Sequence, residues 1–367
     1  MLFILFLTAF NLFLGFSIIF PIFPEFVEEL RGKPIDIGIL VSIQPLMQLI
    51  FSPIWGKLSD KYGRKSFIFI GMFGYAISFY LTAIANSIEF LFFARVLGGI
   101  ISSAAIPSIL AYASDISNNE RRNIALGIVG GGFGLGIVLG PFLGGIIGHI
   151  DIRLAFMLSF FIFLGNSILV LILLKEEKLK IVKVKKAKIL NGYAIFSSIV
   201  YFLIILSATA MQVILGILLN YKFHMDILSI GLIIGIGGLF GAISQLTIGY
   251  IIKFFSEKFV IVFSIFLLGI ISILMGFINN PNLFYILMPI YGFSFGLSQP
   301  NLTARASKKI PNEYQGEFMG IFQAFGSLGR FLGPIVFAYL YGINPSLPYV
   351  LSGIILIMVA TLTLRWI

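Results

Sequence analysis

Cysteine is absent from this chain, which excludes disulfide bridges and thiolate metal sites. Charged residues are also scarce, at 11% of the chain, whereas a soluble domain carries about 25%. Hydrophobic residues make up 59% of the sequence. A chain with so few charged residues cannot form a polar surface in contact with water, so we expect lipid to be its solvent.

Two further absences narrow the function. The phosphate-binding pattern Gly-x-x-x-x-Gly-Lys-Ser/Thr does not occur, which argues against an activity driven by ATP. Only two histidines are present, His149 and His224, and they lie far apart in the sequence. A membrane-embedded enzyme acting on lipid is therefore a remote alternative, and we expect no enzyme activity, no metal and no cofactor.

Apolar runs of about 20 residues, each long enough to span a bilayer, occur twelve times. We expect the first run to be a retained helix rather than a cleaved signal peptide, because Phe20-Pro21-Ile22-Phe23-Pro24 follows it instead of a small-residue cleavage site. The predicted spans 1 to 12 are residues 2–22, 36–57, 66–86, 90–112, 123–147, 153–174, 192–219, 227–252, 258–278, 283–304, 315–341 and 346–366. They leave no room for a sizeable soluble domain.

The formal net charge is +10, and the basic residues are unevenly divided between alternate loops. If both termini are cytoplasmic, 19 of the 25 lysines and arginines fall on the cytoplasmic side and four on the outer side. An excess of positive charge on the cytoplasmic side is usual in membrane proteins. The basicity therefore predicts a multi-pass orientation in a cell membrane with lipid contacts, and it argues against a nucleic-acid partner.

A charged turn interrupts the apolar sequence between spans 2 and 3. Residues 56–65 read Gly-Lys-Leu-Ser-Asp-Lys-Tyr-Gly-Arg-Lys. The pattern Gly-x-Leu-x-Asp-x-x-Gly-Arg-Lys resembles the signature loop of the major facilitator superfamily of transporters, with every defined position filled. The resemblance implies conformational gating by Gly56, Asp60, Gly63, Arg64 and Lys65.

The end of span 4 supplies another member of the group that this resemblance implies. In the superfamily, an aspartate and an arginine of the signature loop interact with an acidic residue at the end of helix four. The matching residues here are Asp60, Arg64 and Asp115. Charge-assisted hydrogen bonds between such groups are strong, so we expect the group to stabilise the outward-facing state.

Span 4 also contains Arg95, followed after three residues by Gly99. Inserting an arginine into a bilayer costs at least about 2.5 kcal/mol. The pattern Arg-x-x-x-Gly resembles a second superfamily motif, which is associated with proton coupling. The alternative interpretation is that Arg95 snorkels to the outer membrane surface, because it lies close to the outer end of the span.

Other polar side chains are placed within the spans. Gln44, Gln48 and Ser52 recur every four residues in span 2 and share one helix face. Two interpretations remain: the face lines a watery cavity, or it forms hydrogen bonds between helices. The candidates for substrate binding or proton coupling are Asn11, Gln44, Gln48, Arg95, Gln212, Gln245, Gln299, Gln323 and Arg330.

Span 5 contains a run of glycines that permits close packing of helices. Gly136, Gly140, Pro141, Gly144 and Gly145 fill the pattern Gly-x-x-x-Gly-Pro-x-x-Gly-Gly. This pattern resembles the helix-five motif of the antiporter branch of the superfamily, notably the twelve-span drug:proton antiporters. The resemblance implies secondary active efflux of small organic molecules or drugs in exchange for protons.

The second half of the chain repeats the first at an offset of 193 residues, as in Gly140-Pro141 and Gly333-Pro334. Two related six-helix halves are the architecture expected of the superfamily, with substrate bound near the midplane. We therefore predict an all-α membrane protein with two pseudo-symmetric six-helix bundles. The predicted domains are an N-terminal bundle at residues 1–174, a cytoplasmic basic linker at 175–191 and a C-terminal bundle at 192–367.

One feature departs from the drug:proton antiporter pattern. Such exporters usually carry a carboxylate inside the membrane, whereas all 15 acidic residues here fall in loops or near span ends. The charged residues inside spans are instead Arg95 and Arg330. Transport of a neutral or anionic solute, a sugar or an organic anion, is therefore the alternative. In either case we expect a monomer whose partners are a small-molecule substrate and membrane lipids, with protons added in the first case.

Overall fold

The structure is a computed structural model, and it describes residues 1–117, 122–175, 192–308, 310 and 315–366. The predicted linker at 175–191 lies outside the described residues except for Lys175. Within the described ranges the helices are α1 (Leu2–Ser17), α2 (Ile19–Glu29), α3 (Pro34–Tyr62), α4 (Arg64–Ala83), α5 (Ile88–Ser102), α6 (Ala105–Asp115), α7 (Arg122–Ile150), α8 (Ile152–Leu173), α9 (Gly192–Ile217), α10 (Ile227–Phe254), α11 (Glu257–Gly276), α12 (Phe284–Lys308), α13 (Gln315–Ile343) and α14 (Leu347–Trp366).

In the described part of the chain, eleven helical segments are long and apolar enough to cross a membrane by length and composition. Span 1 consists of α1 and α2, and span 4 consists of α5 and α6. The predicted tenth span is not among these eleven segments, but it does form a helix, α12, which is 25 residues long. It differs from the other spans in composition, because Gln299, Asn301, Thr303 and Arg305 lie in its second half.

Proline accounts for the interruption of span 1. Pro21 has no N–H to donate to the Ser17 carbonyl, and its ring crowds the turn that precedes it. The helix accordingly breaks at Ile18, between α1 and α2. The break lies one turn ahead of the first proline.

The same cause interrupts span 4. Pro107 lies four residues after Ser103, and α5 ends at Ser102. The Ser103 carbonyl, which has no N–H partner at position 107, accepts a hydrogen bond from the Ser52 Oγ at 3.2 Å. A side chain of α3 therefore satisfies the backbone group that the proline leaves open.

The chain forms two compact units. Unit 1 comprises Met1–Lys33, Ile43–Val184 and Asp226–Leu232, and unit 2 comprises Pro34–Ser42, Lys185–Met225 and Ile233–Ile367. In unit 1, α1 packs against α7, and α4 packs against α5 and α8. In unit 2, α9 packs against α13, and α11 packs against α12 and α14. The corresponding pairs of spans are in contact in both halves, as the sequence repeat predicts.

Large apolar side chains remain exposed on the outer helix faces. On α8, Leu154, Phe161, Ile168 and Ile172 are all exposed and follow helical spacing, and Ile172 is 73% exposed. A soluble protein rarely leaves such a continuous apolar stripe in contact with water. Lipid contact on this face explains why the helix is apolar outside as well as inside.

Candidate functional site

The signature turn, residues 56–65, joins the end of α3 to the start of α4. Gly63 has a φ of 105°, a backbone conformation that residues with a Cβ rarely adopt. Its N–H donates to the Ser59 carbonyl at 3.1 Å and so closes the last turn of α3. The second glycine of the motif is therefore required by backbone geometry. A Cβ at Gly56 would meet nothing within 4 Å, so packing does not require glycine at that position.

Arg64 is the first residue of α4 and contacts Ser59, Asp60 and Asp115, a group that we call the Arg64 cluster. Its Nε donates to Asp115 Oδ2 at 3.0 Å, and its Nη1 donates to Ser59 Oγ at 2.7 Å. Its Nη2 forms an ion pair with Asp60. The Arg64 side chain is 13% exposed, against 23% for Asp115 and 61% for Asp60. Solvent therefore screens the pair with Asp115 less than the pair with Asp60.

The Arg64 cluster brings three predicted residues together from α3, α4 and α6. It also contains Ser59, which sequence reasoning missed. Ser59 is fully buried, and its Oγ donates to the Gly56 carbonyl at 2.8 Å while it accepts from Arg64. The residue occupies an undefined position of the motif, so no signal in the pattern identifies it. Lys65 is half-buried and takes no part in the cluster.

Arg95 lies in the middle of α5 and is 3% exposed. Its guanidinium carbon is 4.8 Å from the ring centre of Phe23 and 5.6 Å from that of Phe79. Cation–π contacts stabilise a desolvated cation by about 2 kcal/mol. Among the described residues, the buried Nε and Nη2 have no hydrogen-bond partner. The depth of burial argues against the snorkelling interpretation.

Replacing Arg95 with methionine, the residue at the equivalent position 288 of the second half, is expected to separate stability from transport. Removal of a buried group with unpaired N–H atoms should raise the free energy of unfolding by about 1–3 kcal/mol. Transport should fall about tenfold or more if the guanidinium serves the transport cycle. Thermal unfolding and substrate flux of the purified variant measure the two effects. A less stable variant with normal flux would assign Arg95 a purely structural role.

The polar face of α3 is occupied by hydrogen bonds within unit 1. Gln48 Nε2 donates to the Tyr75 hydroxyl at 3.2 Å, and Ser52 bonds to a backbone carbonyl of span 4. The Tyr75 ring is buried and stacks on Phe163, with ring centres 4.9 Å apart. Gln44 is also buried. These contacts favour the interpretation in which the face forms hydrogen bonds between helices.

A second tyrosine joins two predicted glutamines in unit 2. Gln299 Nε2 donates to the Tyr201 hydroxyl at 3.2 Å, and that hydroxyl donates to Gln323 Oε1 at 3.5 Å. We call Tyr201, Gln299 and Gln323 the Tyr201 set. The sequence predicts both glutamines as candidates, but it contains no local signal for Tyr201, which lies 98 positions before Gln299.

The remaining polar candidates do not join either group. Arg330 Nη2 donates to Ser327 Oγ one turn earlier on α13, at 3.0 Å. Gln245 is exposed on α10, whereas Asn11 and Gln212 are half-buried on α1 and α9. The structure therefore divides the predicted set into one tyrosine-centred group in each unit and several separate side chains.

Every fourth residue of α7 from 132 to 148 is a glycine, and these glycines share one helix face. We call this row the glycine stripe: Gly132, Gly136, Gly140, Gly144 and Gly148. A Cβ at Gly136 would lie 2.5 Å from the Phe10 carbonyl oxygen, and a Cβ at Gly144 would lie 2.2 Å from the Ile18 carbonyl oxygen. The backbone of span 1 thus packs directly against α7. Ser17 Oγ adds a hydrogen bond to the Gly136 carbonyl at 3.0 Å.

The other residues of the helix-five motif lie beside this stripe. A Cβ at Gly145 would lie 3.0 Å from the Cα of Gly231, in the α10 segment that belongs to unit 1. The Pro141 carbonyl oxygen lies 2.7 Å from a Cβ built at Gly231. Gly140 lies against Ser17, whose Oγ would be 1.9 Å from its Cβ. The motif therefore serves close helix packing on two faces of α7.

Unit 2 repeats the first of these contacts. A Cβ at Gly329 would lie 2.8 Å from the Phe202 carbonyl oxygen, and one at Gly333 would lie 2.6 Å from the Leu206 carbonyl oxygen. Thr209 Oγ1 donates to the Gly329 carbonyl at 3.5 Å, as Ser17 does to Gly136. The packing contact is therefore repeated in unit 2, with an offset of 193 residues between the glycines of α7 and α13 and of 192 residues between their partners on α1 and α9.

The sequence profile of the Major Facilitator Superfamily matches residues 5–334. The chain belongs to the Major Facilitator Superfamily. As a member of this superfamily it is a multi-pass membrane transport protein rather than an enzyme. The resemblance inferred from the signature turn is confirmed.

Two relatives in the superfamily match nearly the whole chain. Multidrug resistance protein 1 of Bacillus subtilis (strain 168) is 28% identical over 371 residues, which cover 99% of this chain and 95% of the relative. Quinolone resistance protein NorA of Staphylococcus aureus is 26% identical over 371 residues, which cover 97% and 95%. These names agree with the branch of the superfamily that the glycine motif indicates.

Solved structures of transporters share the superfamily fold. A bacterial homolog of the human lysosomal transporter Spinster has a TM-score of 0.83 at 11% identity, covering 100% of this chain and 96% of that one. The human organic anion transporter MFSD10 has a TM-score of 0.74 at 19% identity, covering 99% and 98%. The predicted fold, twelve helices in two pseudo-symmetric six-helix bundles, is confirmed.

Proposed function

We propose that this transporter exports small organic molecules, including drugs, by alternating access in exchange for protons. The observation that carries the proposal is the Arg64 cluster, in which one partly buried guanidinium joins the ends of α3, α4 and α6. Such a cluster holds the helix ends together in one conformational state and releases them in another, as a gate requires. The relatives named for multidrug and quinolone resistance support organic molecules as the substrate class.

The proposal includes a location and an orientation. The transporter acts as a monomer in the cell membrane with both termini in the cytoplasm. The excess of lysine and arginine in alternate loops supports this orientation, because 19 such residues fall on the cytoplasmic side and four on the outer side. Residues 1–174 and 192–367 act as the two moving bundles, joined by the basic linker at 175–191.

Arg95 favours a second candidate function, the transport of a neutral or anionic solute without proton antiport. Its two buried nitrogens without a partner among the described residues, Nε and Nη2, would gain most from an anionic partner. The acidic residues of the sequence fall in loops or near span ends, and Glu25 is half-buried in the last turns of α2. A carboxylate suited to carry protons through the middle of the membrane is therefore not evident in the sequence.

Flux measurements in proteoliposomes distinguish the two candidates. With an acidic lumen and no membrane potential, the vesicles should accumulate a quinolone several times faster than vesicles without a pH gradient, because protons leave as the drug enters. Protein-free vesicles with the same gradient control for passive accumulation of the weak base. Uptake that is indifferent to the gradient would contradict proton antiport. Faster uptake of an organic anion such as p-aminohippurate, equally indifferent to pH, would support the second candidate.

A further inference from the structure

We infer that the Tyr201 set is an uncharged hydrogen-bonding site in unit 2 that recognises amide, hydroxyl or carbonyl groups of a substrate. In this site Tyr201 is a positioning residue, and Gln299 and Gln323 are the groups that contact the ligand. The inference rests on the proposed transport of small organic molecules, and it specifies the chemistry that one unit contributes to their recognition.

The Tyr201 ring is held in one place by its packing. The side chain is 1% exposed, and its ring is stacked on Phe322 with centres 4.1 Å apart and an interplanar angle of 15°. Phe322 is itself fully buried, and its ring centre is 5.5 Å from that of Phe318. On the same helix, a Cβ at Gly326 would lie 2.4 Å from Tyr201 Cε1, so glycine makes room for the ring. The position of the hydroxyl is therefore determined by the core.

Tyr201 has a single hydroxyl hydrogen, which determines the donor and the acceptor in each hydrogen bond of the Tyr201 set. The Tyr201 oxygen accepts from Gln299 Nε2, so its own hydrogen is free to bond to Gln323 Oε1. A phenol has one hydrogen to donate, and each amide has two donors and a carbonyl acceptor. This arrangement leaves the Gln299 carbonyl oxygen and the Gln323 amino group for a ligand. One acceptor and one donor, each on an amide that contacts the Tyr201 hydroxyl, match an amide or a hydroxyl group of a ligand, and neither carries a charge.

The two glutamines differ from Tyr201 in their accessibility. Gln323 is exposed and lies well inside α13, and Gln299 is half-buried on α12. A polar side chain inside a span is unfavourable in contact with hydrocarbon, so such groups usually face protein or a water-filled cavity. An exposed amide at this depth is therefore expected to meet water or a ligand.

The substitution Tyr201→Phe tests the inference because it removes the hydroxyl and keeps the stacked ring. Two radiolabelled probes are bound to the purified protein in detergent: chloramphenicol, a neutral molecule with amide and hydroxyl groups, and tetraphenylphosphonium, a cation without hydrogen-bonding groups. The dissociation constant for chloramphenicol should rise about five- to tenfold, because the Gln299 and Gln323 amides lose the hydroxyl that positions them for hydrogen bonding. The constant for tetraphenylphosphonium should not change.

Tyr349→Phe is the matched control. Tyr349 is also 1% exposed in unit 2, and its hydroxyl has no hydrogen-bond partner among the described residues. The control removes the same atom from an equally buried side chain without touching either glutamine, so both dissociation constants should stay the same. Thermal unfolding of both variants verifies that each remains folded.

A double-mutant cycle tests whether Tyr201 acts through the glutamines. In a Gln323→Ala background, adding Tyr201→Phe should weaken chloramphenicol binding less than it does in the wild type, because the partner is already absent. Fully additive losses, or equal weakening of both probes, would overturn the inference and leave the proposed function standing. Wild-type protein that binds and transports neither probe would overturn the proposed function, and the inference with it.

Discussion

Replacing Arg64 with glutamine is expected to lower the transport rate about tenfold or more while the protein stays folded. Each hydrogen bond to a charged partner contributes about 1.5–3 kcal/mol, and Arg64 makes such contacts with both Asp60 and Asp115. Loss of about 1.4 kcal/mol from one conformational state changes its population roughly tenfold. The apolar cores of the two units do not depend on this side chain, so the variant should stay folded, with a lower thermal stability that reflects the lost contacts of Arg64.

Two further variants make this experiment specific. Lys57→Gln removes one positive charge from the same turn, and Lys57 is exposed and outside the Arg64 cluster. The transport rate of this variant should therefore stay near that of the wild type. Arg64→Lys keeps the charge but not the fork of donors that reaches three side chains at once, so its rate should remain low. Equal rates for Arg64→Gln and Lys57→Gln would contradict a gating role for the cluster. Unchanged rates and state populations in Asp60→Asn would remove Asp60 from it.

Replacing Gly136 with alanine is expected to destabilise unit 1 by about 2 kcal/mol, because small-to-large changes in a packed interior cost about 1–3 kcal/mol. The new Cβ would lie 2.5 Å from the Phe10 carbonyl oxygen and 2.6 Å from the Leu14 backbone nitrogen. Backbone atoms do not move aside as a flexible side chain does, so α1 must shift away from α7. The shift also strains the hydrogen bond from Ser17 to the Gly136 carbonyl. Thermal unfolding in detergent measures the loss.

Gly134→Ala is the control for this prediction. It lies two residues away on the same helix, and its Cβ would meet nothing within 4 Å. Alanine is a better helix former than glycine by about 1 kcal/mol, so this variant should be as stable as the wild type or slightly more stable. Gly329→Ala, the equivalent of Gly136 in unit 2, should behave like Gly136→Ala. If alanine at 134 and at 136 had the same effect, close packing of the glycine stripe would not explain the motif.

The two units reach a similar local arrangement from different positions. Tyr75 and Tyr201 are both buried, both stack on a phenylalanine, and both accept a hydrogen bond from a glutamine Nε2 at 3.2 Å. The offset of 193 residues does not relate them, because position 75 corresponds to Leu268. This likeness is therefore absent from the repeat in the sequence.

Helix boundaries illustrate a limit of hydropathy. The sequence predicts span 2 at residues 36–57, whereas α3 continues to Tyr62, and it predicts span 1 at residues 2–22, whereas α2 continues to Glu29. An apolar run marks the part of a helix that lies in hydrocarbon. Backbone hydrogen bonding continues beyond it into water, where polar residues such as Glu25 and Lys61 are favourable.

The sequence by itself determined the class of solvent, the number and order of the spans, the internal repeat and the superfamily. These properties are local or periodic along the chain, since hydrophobic length, charge and motif spacing are all read from neighbouring residues. Asp60, Arg64 and Asp115 of the Arg64 cluster were predictable from the superfamily resemblance, whereas Ser59, at an undefined position of the motif, was not.

Only the tertiary structure decided which polar side chains meet. Tyr201 lies 98 positions from Gln299 and 122 positions from Gln323, and they form hydrogen bonds only because α9, α12 and α13 converge. The burial of Arg95 against Phe23 and Phe79 depends in the same way on the packing of three helices. Contacts across such separations follow from how helix faces pack together, and no periodicity along a single helix records them.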